Sequence, residues 1–498
     1  MWRMCRSIQI RNGTVYDPRN GIDGEEMDIF IADGKLVEEA SPKPEVVIDA
    51  RGKAVVPGGI DVHSHVATYG LNLARFTFGF PTLGQIGDIY ARMGYTHVNE
   101  PLMTLNTASY VHHELSGIPI VDTSAFLVLT LHDIEKGIRE GDREGVKRLI
   151  LHLLGITKAL NAKLYDVEVR YEKRGFFYRD IPIHRCLNFF HELSPLRDGM
   201  PGIQLRTYPE LLEEDTKFLT AFCLADIASG IDNEELYEAA LAVLKRGGCV
   251  DLGITIPVLE GMENMRIGYE NEAASSSSNF ISMDIGLEKP LIYSKIENKS
   301  KSETESNNVD KRVYYSLSFA LDALKYYKNI SFSTDSSNGC LFYAYPGIFA
   351  ALLSHDNRTE LVKEELPHDE YSMYELVAIT RENPARQLGL GDNKGHLGTG
   401  ADADIAIYDI GEDTGIKDLE KRLRSCLYLL KGGEVVIREG ELINGGVKKR
   451  TLFLPERGEE EKEASEDELT AEVLSRRSFR TEHLNVDDCF LSFHTYHE

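Results

Sequence analysis

The chain lacks paired cysteines. Its seven cysteines are scattered through 498 residues, and none belongs to a Cys-x-x-Cys pair. This spacing differs from that of a disulfide framework, a zinc ribbon or a conventional run of iron–sulfur ligands. We therefore expect a protein of the reducing cytoplasm.

Positive charge and long apolar runs are also scarce. Lys and Arg number 55 against 80 Asp and Glu, which gives a net charge of −25. Such a chain does not offer the broad cationic surface that nucleic acids and anionic membranes require. The longest apolar runs, such as Phe126–Leu131, are too short to span a bilayer. We expect a globular protein that binds neither nucleic acid nor membrane.

Segments typical of short strands occupy both ends of the chain. Asn12-Gly13 and Asp33-Gly34 are typical of hairpin turns, and Ala403–Asp409 alternates apolar with polar residues, as a half-buried strand does. Since the two groups of segments flank a long middle, we predict one small composite β-sandwich domain, made of residues 1–56 and 391–450.

The middle of the chain, residues 57–390, alternates strand-like and helix-like segments, which is typical of parallel α/β folds. We predict a (β/α)8 barrel with its active site at the carboxyl ends of the strands. A polar stretch of low complexity, residues 272–310, is predicted to be a disordered insertion. Residues 451–498 are predicted to be an acidic linker and a C-terminal docking tail. The eight predicted barrel strands are Gly59–His63, Tyr95–Asn99, Ala125–Thr130, Ala162–Asp166, Ile181–Arg185, Gly202–Thr207, Cys249–Ile256 and Ile330–Thr334.

The most specific local feature is a His-x-His pair after two glycines. In Pro57–His65, an apolar strand leads directly into His63 and His65. Residues i and i+2 of a strand face the same side, so both imidazoles can bind one metal ion. At the end of the first predicted barrel strand, this pair predicts a metal centre.

These motifs resemble those of a known superfamily. The string that ends in His65 is similar to the first barrel strand of the amidohydrolases, and Lys394–Ile405 resembles the segment by which those enzymes re-enter their β-sandwich domain. Further motifs are similar to the A subunits of formylmethanofuran dehydrogenase and of the formyltransferase/hydrolase complex of methylotrophs, over about residues 7 to 450. They are Ala91–Thr96, Asn99–Pro101, Thr334–Gly339, Tyr345-Pro346 and Glu375–Gly389.

The resemblance implies roles for five residues. His63 and His65 match the ligands of the first strand, and His184 matches a ligand of the fifth. Lys163 matches the strand-four lysine, which in this family is carboxylated and bridges two metals. A carbamate presents two oxygens, as a carboxylate does, whereas an amine is a poor bridging ligand. Asp335 matches the strand-eight aspartate, a ligand that is also the general base for the attacking water.

The sequence departs from the family pattern at three places. Gly202 stands where strand six of the family supplies another histidine, and Cys186 stands where a second histidine follows the strand-five ligand. Ser336-Ser337 replace the His-Pro that follows the aspartate in the family. One metal position therefore keeps its ligands, whereas the other keeps only the carbamate and the strand-five histidine.

The resemblance implies a zinc-dependent amidohydrolase, with one or two metal ions, that works beside other subunits of a complex. It would make or hydrolyse the N-formyl C–N bond of a methanofuran-type one-carbon carrier. Two alternatives stay open. One is a diverged, non-catalytic scaffold subunit of such a complex, which the departures favour. The other is a one-metal cyclic-amide hydrolase with an unrelated substrate.

We predict at most one tightly bound metal ion per purified chain. Gly202 removes one ligand, and three protein ligands plus water are the usual minimum for a catalytic zinc. Elemental analysis of the purified protein measures the occupancy. Two tightly held ions per chain would contradict this prediction and would mean that another residue, such as Cys186, has become a ligand.

Overall fold

The three-dimensional structure is a computed structural model. It describes residues 7–39, 41–67, 81–129, 131–164, 181–193, 196, 204–206, 223–225, 234–254, 267–268, 293–294, 314–336, 341–361, 365–411, 414–453, 469–471 and 493–495.

Strands and helices are numbered along the chain. The strands are β1 (Ser7–Asp17), β2 (Ile22–Ala32), β3 (Lys35–Val37), β4 (Val46–Asp49), β5 (Ala54–Pro57), β6 (Gly59–Asp61), β7 (Tyr95–Met103), β8 (Asp122–Leu129), β9 (Asn161–Leu164), β10 (Gln204–Arg206), β11 (Cys223–Ala225), β12 (Cys249–Asp251), β13 (Ile267–Gly268), β14 (Tyr293–Ser294), β15 (Ile330–Ser331), β16 (Ile405–Tyr408), β17 (Tyr428–Lys431), β18 (Glu434–Arg438), β19 (Glu441–Leu442), β20 (Thr451–Phe453) and β21 (Phe493–Thr495). The α-helices are α1 (Leu83–Arg92), α2 (Ala108–Gly117), α3 (Leu131–Glu140), α4 (Arg143–Thr157), α5 (Ile183–Leu193), α6 (Glu234–Lys245), α7 (residues 314–323), α8 (Tyr345–Leu353), α9 (His355–Leu361), α10 (Met373–Val377), α11 (Asn383–Gln387) and α12 (Leu419–Arg424). A π-helix, Ala378–Glu382, joins α10 to α11.

Strands from both ends of the chain build one mixed sheet. Its order is β19-β18-β17-β16-β5-β1-β2-β3, and β4 also pairs with β1. β5 and β16 run antiparallel, with Pro57 opposite Ile405 and Ala54 opposite Tyr408. Apolar side chains from both ends, among them Ile10 and Ile405, pack together in a small core. Neither end buries these side chains alone, so the two ends fold as one sheet.

The predicted hairpin turn at Asn12-Gly13 is wrong. β1 continues through this dipeptide, and its register against β2 shifts just before Gly13. Asn12 has a φ of 57°, so the pair forms a β-bulge. The chain reverses instead at the 3-10 turn Pro18–Asn20, which ends at Gly21 with a φ of 72°. Asp33-Gly34 does form the turn between β2 and β3.

Eight parallel strands form the barrel. Their order, β6-β7-β8-β9-β10-β11-β12-β15, follows the chain, and each pair of neighbours is parallel. The two ends of this series meet at a bridge between Ser64 and Ser336, and the backbone N–H of His65 donates to the carbonyl of Ser336 at 2.6 Å. The carboxyl ends of all eight strands therefore share one rim.

One predicted barrel strand is wrong and one barrel strand was missed. Ile181–Arg185 is not a strand, because α5 begins at Ile183. Cys186, Leu187 and Phe190 are buried in α5, and their spacing of three to four residues is typical of a helix that packs one face on a core. The fifth barrel strand is β10, which lies within the predicted sixth. The sixth is β11, for which the sequence predicted no strand.

The insertion and the tail are described only in part. Most of residues 272–310 and all of the acidic run 456–468 lie outside the described residues. Within the insertion, β14 pairs antiparallel with β13. In the tail, β21 pairs parallel with β20, which continues the barrel sheet beside β8 through Thr451 and Thr123. Among the described helices, none has the length and apolar character needed to cross a membrane.

A buried ionic cluster joins the barrel to the first sheet. Lys394 Nζ lies 2.9 Å from Asp122 Oδ2 and 2.6 Å from Asp404 Oδ2. Lys431 Nζ lies 2.9 Å from Asp122 and 3.2 Å from Asp404. Burial raises the pKa of both carboxyls, but the two ammonium groups outweigh it and hold each pKa below its usual value. The charges compensate one another where the amino end of β8 meets β16 and β17.

We predict that Lys431→Met lowers the free energy of unfolding by about 3–5 kcal/mol, because it removes one partner from two buried carboxylates. Urea unfolding measures the change. The control is Arg424→Met, which removes a half-exposed helical pair with Glu420 and is expected to change stability by less than about 1 kcal/mol. Similar small effects in both variants would contradict a structural role for the cluster.

Candidate metal centre

Three side chains converge where the first and last barrel strands end. His63 Nε2 lies 3.1 Å from Asp335 Oδ1, and His65 Nε2 lies 3.0 Å from the same oxygen. Their ligand atoms all lie within 4.8 Å of one another, and within the described part of the chain this is the group that can hold a metal ion. His63 and Asp335 are 1% exposed, against 12% for His65. The site therefore opens towards solvent on the side of His65.

The other two predicted ligands lie in the barrel strand β9 and in the helix α5. Lys163 lies in β9, opposite Val128 and Gln204, and its side chain is buried. His184 lies half-buried in the first turn of α5, not at the end of a strand as predicted, and outside the group of three. Among the predicted histidine and aspartate ligands, the structure brings together His63, His65 and Asp335.

The positions that depart from the family pattern are described in part. Gly202 and Ser337 lie outside the described residues. Cys186 is fully buried in α5, where burial raises the pKa of its thiol to about 12. A neutral, buried thiol packs as a small apolar group, so Cys186 belongs to the core.

Glu100 orients the ring of His65. Its Oε1 lies 3.0 Å from His65 Nδ1, and its Oε2 accepts hydrogen bonds from the backbone N–H groups of Val66 and Ala67 at 2.9 and 2.8 Å. The carboxylate serves these contacts as acceptor, so His65 carries its proton on Nδ1. Nε2 is then the nitrogen that faces Asp335 and is available to a metal.

A second buried carboxylate, Asp251, lies beside the ring of His63. Its Oδ2 lies 3.4 Å from His63 Nδ1, and the hydroxyl of Ser333 donates to that oxygen at 2.7 Å. The Ser333 oxygen in turn accepts from the backbone N–H of Asp335 at 3.3 Å. One serine therefore connects the partner of His63 with the backbone of Asp335, whose φ of 46° is uncommon for a non-glycine residue.

Glu100 and Asp251 were not predicted as site residues from the sequence. Glu100 directly follows the predicted second strand, and Asp251 lies in the predicted seventh. The sequence could have indicated both as site residues, because each is a carboxylate at the carboxyl end of a barrel strand. Their assignment to His65 and His63 depends on pairing across the barrel, which one strand does not reveal.

The electrostatics of the group favour a bound cation. Burial lowers the pKa of His65, but the hydrogen bonds to Asp335 and Glu100 outweigh it and raise the pKa to about 9. Burial raises the pKa of Asp335, whereas His63 and His65 bring it well below its usual value. Positive charge is thus stabilised between these side chains. Two imidazole nitrogens and one carboxylate oxygen also form a donor set that suits zinc, so the residues fit a divalent metal ion.

Known proteins are similar to this chain in sequence. A profile of the amidohydrolase family matches residues 46–121 and 313–437, the segments that hold His63, His65 and Asp335. Protein FwdA of Methanocaldococcus jannaschii is 28% identical over 87% of this chain and 88% of its own length. The A subunit of the formyltransferase/hydrolase complex Fhc of Methylorubrum extorquens is 26% identical over 87% of this chain and 89% of its own. The resemblance to this family of A subunits is confirmed.

A solved structure shares the fold. In the crystal structure of the formyltransferase/hydrolase complex FhcABCD from Methylorubrum extorquens with methylofuran, one chain aligns with a TM-score of 0.73 at 22% identity. The alignment covers 98% of this chain and 99% of that chain. The predicted α/β fold of amidohydrolase type is therefore confirmed.

We predict that Glu100→Gln weakens zinc binding by about 10–100-fold, as is typical when a residue that orients a metal ligand is changed. An amide has a single acceptor oxygen and turns its NH2 group towards donors. Competition with a chromophoric chelator measures the affinity. The control is Glu375→Gln, because Glu375 caps α10 away from the site. Equal zinc affinities in the two variants would contradict the orienting role of Glu100.

Proposed function

We propose that this chain is the metal-dependent amidohydrolase subunit of a complex similar to formylmethanofuran dehydrogenase or to the formyltransferase/hydrolase complex. It makes or hydrolyses the N-formyl C–N bond of a methanofuran-type carrier. The observation that carries the proposal is the convergence of His63 Nε2, His65 Nε2 and Asp335 Oδ1 at the carboxyl rim of the barrel. The similarity to FwdA and to the Fhc protein over 87% of the chain supports the substrate class and the partner subunits.

The metal we propose is zinc, held by His63, His65, Asp335 and a carbamate on Lys163. Lys163 is buried in the barrel strand β9, where the resemblance to the family implies a carboxylated side chain, and a carbamate offers two oxygens as a carboxylate does. When bound, zinc polarises the formyl oxygen and lowers the pKa of the attacking water. The placement of His184 in α5 supports one metal ion rather than two.

The chain's own residues handle the protons. In hydrolysis, Asp335 accepts a proton from the attacking water and passes it to the departing amine, so that the formamide and water become formate and the free amine. Glu100 holds a proton on Nδ1 of His65, which keeps its Nε2 free as a ligand, and the carboxylate of Asp251 lies 3.4 Å from Nδ1 of His63. In synthesis, the same groups act in the reverse order and release water.

A non-catalytic scaffold subunit is the second candidate. Two observations favour it, namely Gly202 in place of a family histidine and the position of His184 on a helix. Such a subunit would keep the barrel and its contacts with partners without hydrolysing a substrate.

We predict that Asp335→Asn lowers the rate of formamide hydrolysis by about 10²–10⁴-fold, the range typical of a lost general base. The shape of the side chain is nearly unchanged, so the fold should persist. Formate release from an N-formyl furfurylamine carrier measures the rate, with the chain assembled with its partners and supplied with zinc. The matched control is Asp392→Asn, since the Asp392 side chain is 90% exposed and its loss should leave the rate unchanged.

Normal hydrolysis by the Asp335→Asn variant would contradict the proposed mechanism. A wild-type complex supplied with zinc that neither hydrolyses nor forms a formamide bond would favour the scaffold. Melting temperatures of the metal-free proteins show whether the substitution disturbs the fold. Inactivity of the isolated chain carries less weight, because the proposed enzyme works with other subunits.

A further inference from the structure

The barrel has little backbone pairing where its first and last strands meet. Among the described residues, β6 and β15 are joined through the bridge between Ser64 and Ser336 and the hydrogen bond from His65 N–H to the Ser336 carbonyl. His63 and His65 lie on one side of this junction, and Asp335 lies on the other. Contacts other than the backbone pairing of β6 with β15 therefore set the distances between the three ligands.

Asp61 connects elements from both sides of this junction. It is fully buried at the end of β6, and its Oδ1 accepts from the backbone N–H of His63 at 3.0 Å. Its Oδ2 accepts from the hydroxyl of Tyr90 at 2.7 Å and from that of Tyr345. Tyr90 belongs to α1, which follows β6, and Tyr345 begins α8, which follows β15.

Aromatic packing fixes the two tyrosine rings. Tyr90 stacks on Phe342, with 4.5 Å between the ring centroids and 12° between the planes. Tyr345 meets Phe332 edge-on at 4.8 Å. Phe332 directly follows β15, and the backbone N–H of Phe342 donates to Ser336 Oγ at 3.2 Å. Both hydroxyls are therefore anchored to the segment that carries Asp335.

We propose that Asp61, Tyr90 and Tyr345, here called the Asp61 clamp, are positioning residues that set the distance between the ligands on the two sides of the junction. The inference rests on the proposed metal centre and adds residues that touch neither the metal nor the substrate. If one hydroxyl is lost, all three ligands remain but are less well placed. We then expect the zinc affinity to fall by more than the loss of stability from one buried tyrosine hydroxyl can explain.

The test compares two substitutions that each remove one buried tyrosine hydroxyl. Tyr345→Phe opens the Asp61 clamp, and the control is Tyr371→Phe, because the hydroxyl of Tyr371 donates to the carbonyl of Ala320 at 2.6 Å. We expect Tyr345→Phe to weaken zinc binding by about 10-fold or more, and Tyr371→Phe to leave it unchanged. Both should lower the melting temperature of the metal-free chain by similar amounts. Chelator competition gives the zinc affinity, and the visible spectrum of bound Co²⁺ reports the ligand geometry.

Wild-type zinc affinity in Tyr345→Phe would overturn the proposal. An equal loss in Tyr371→Phe would also overturn it, because the effect would then follow general stability. If Tyr345→Phe folds poorly, Tyr90→Phe removes the other hydroxyl and keeps the ring on Phe342, and the same outcomes apply. A wild-type chain that binds zinc but never hydrolyses a formamide would refute the proposed function and leave the clamp standing. A wild-type chain that binds no zinc would refute both.

Discussion

Closure of the barrel between β6 and β15 determines where the candidate ligands lie. A long ladder of backbone hydrogen bonds would fix that distance directly, but β15 is only Ile330–Ser331. Beyond β15, individual backbone hydrogen bonds fix the position of the chain. The N–H of Phe332 donates to the carbonyl of Ile379 in the π-helix, and the N–H of Ile254 donates to the carbonyl of Ser333. The turn that presents Asp335 is thus held by the segment that follows β12, by the π-helix and by the backbone of His65.

Buried charge is compensated separately at the two ends of the barrel. At the amino end, Asp122 is neutralised by Lys394 and Lys431, and at the carboxyl rim the carboxylates face His63 and His65. Between them, His97 lies fully buried with Nε2 2.9 Å from Ser124 Oγ. Burial, aided by Lys394 and Lys431, lowers the pKa of His97 to about 3, so its ring is neutral. The amino end therefore stabilises the fold, whereas the carboxyl rim carries the candidate chemistry, as is usual in barrels of this type.

Local sequence patterns predicted much of the fold and the centre of the site. Alternation along a strand predicted that His63 and His65 share a side, and both do face Asp335, although β6 ends two residues earlier at Asp61. The position of Asp335 after an apolar run predicted that it lies on the same rim. Ile181–Arg185 was predicted wrongly because five residues are too few to separate a strand from a helix; Phe190 and Leu193, beyond that window, decide for the helix. The partners of the two histidines were missed because strand pairing, which no single segment encodes, selects Glu100 and Asp251.

The energetic cost of the site bears on whether the chain is a catalyst or a scaffold. Asp61, Glu100, Asp251 and Asp335 are each at most 1% exposed, and they surround two histidines in a core that apolar residues fill elsewhere. Burying charged groups costs several kcal/mol per ion, and apolar replacements of buried ion pairs often stabilise a protein. Asp335 also has a left-handed backbone, and such strain tends to occur at functional sites. A scaffold needs neither feature, whereas a metal centre needs both imidazoles oriented and the carboxylate fixed, so the arrangement favours the enzyme.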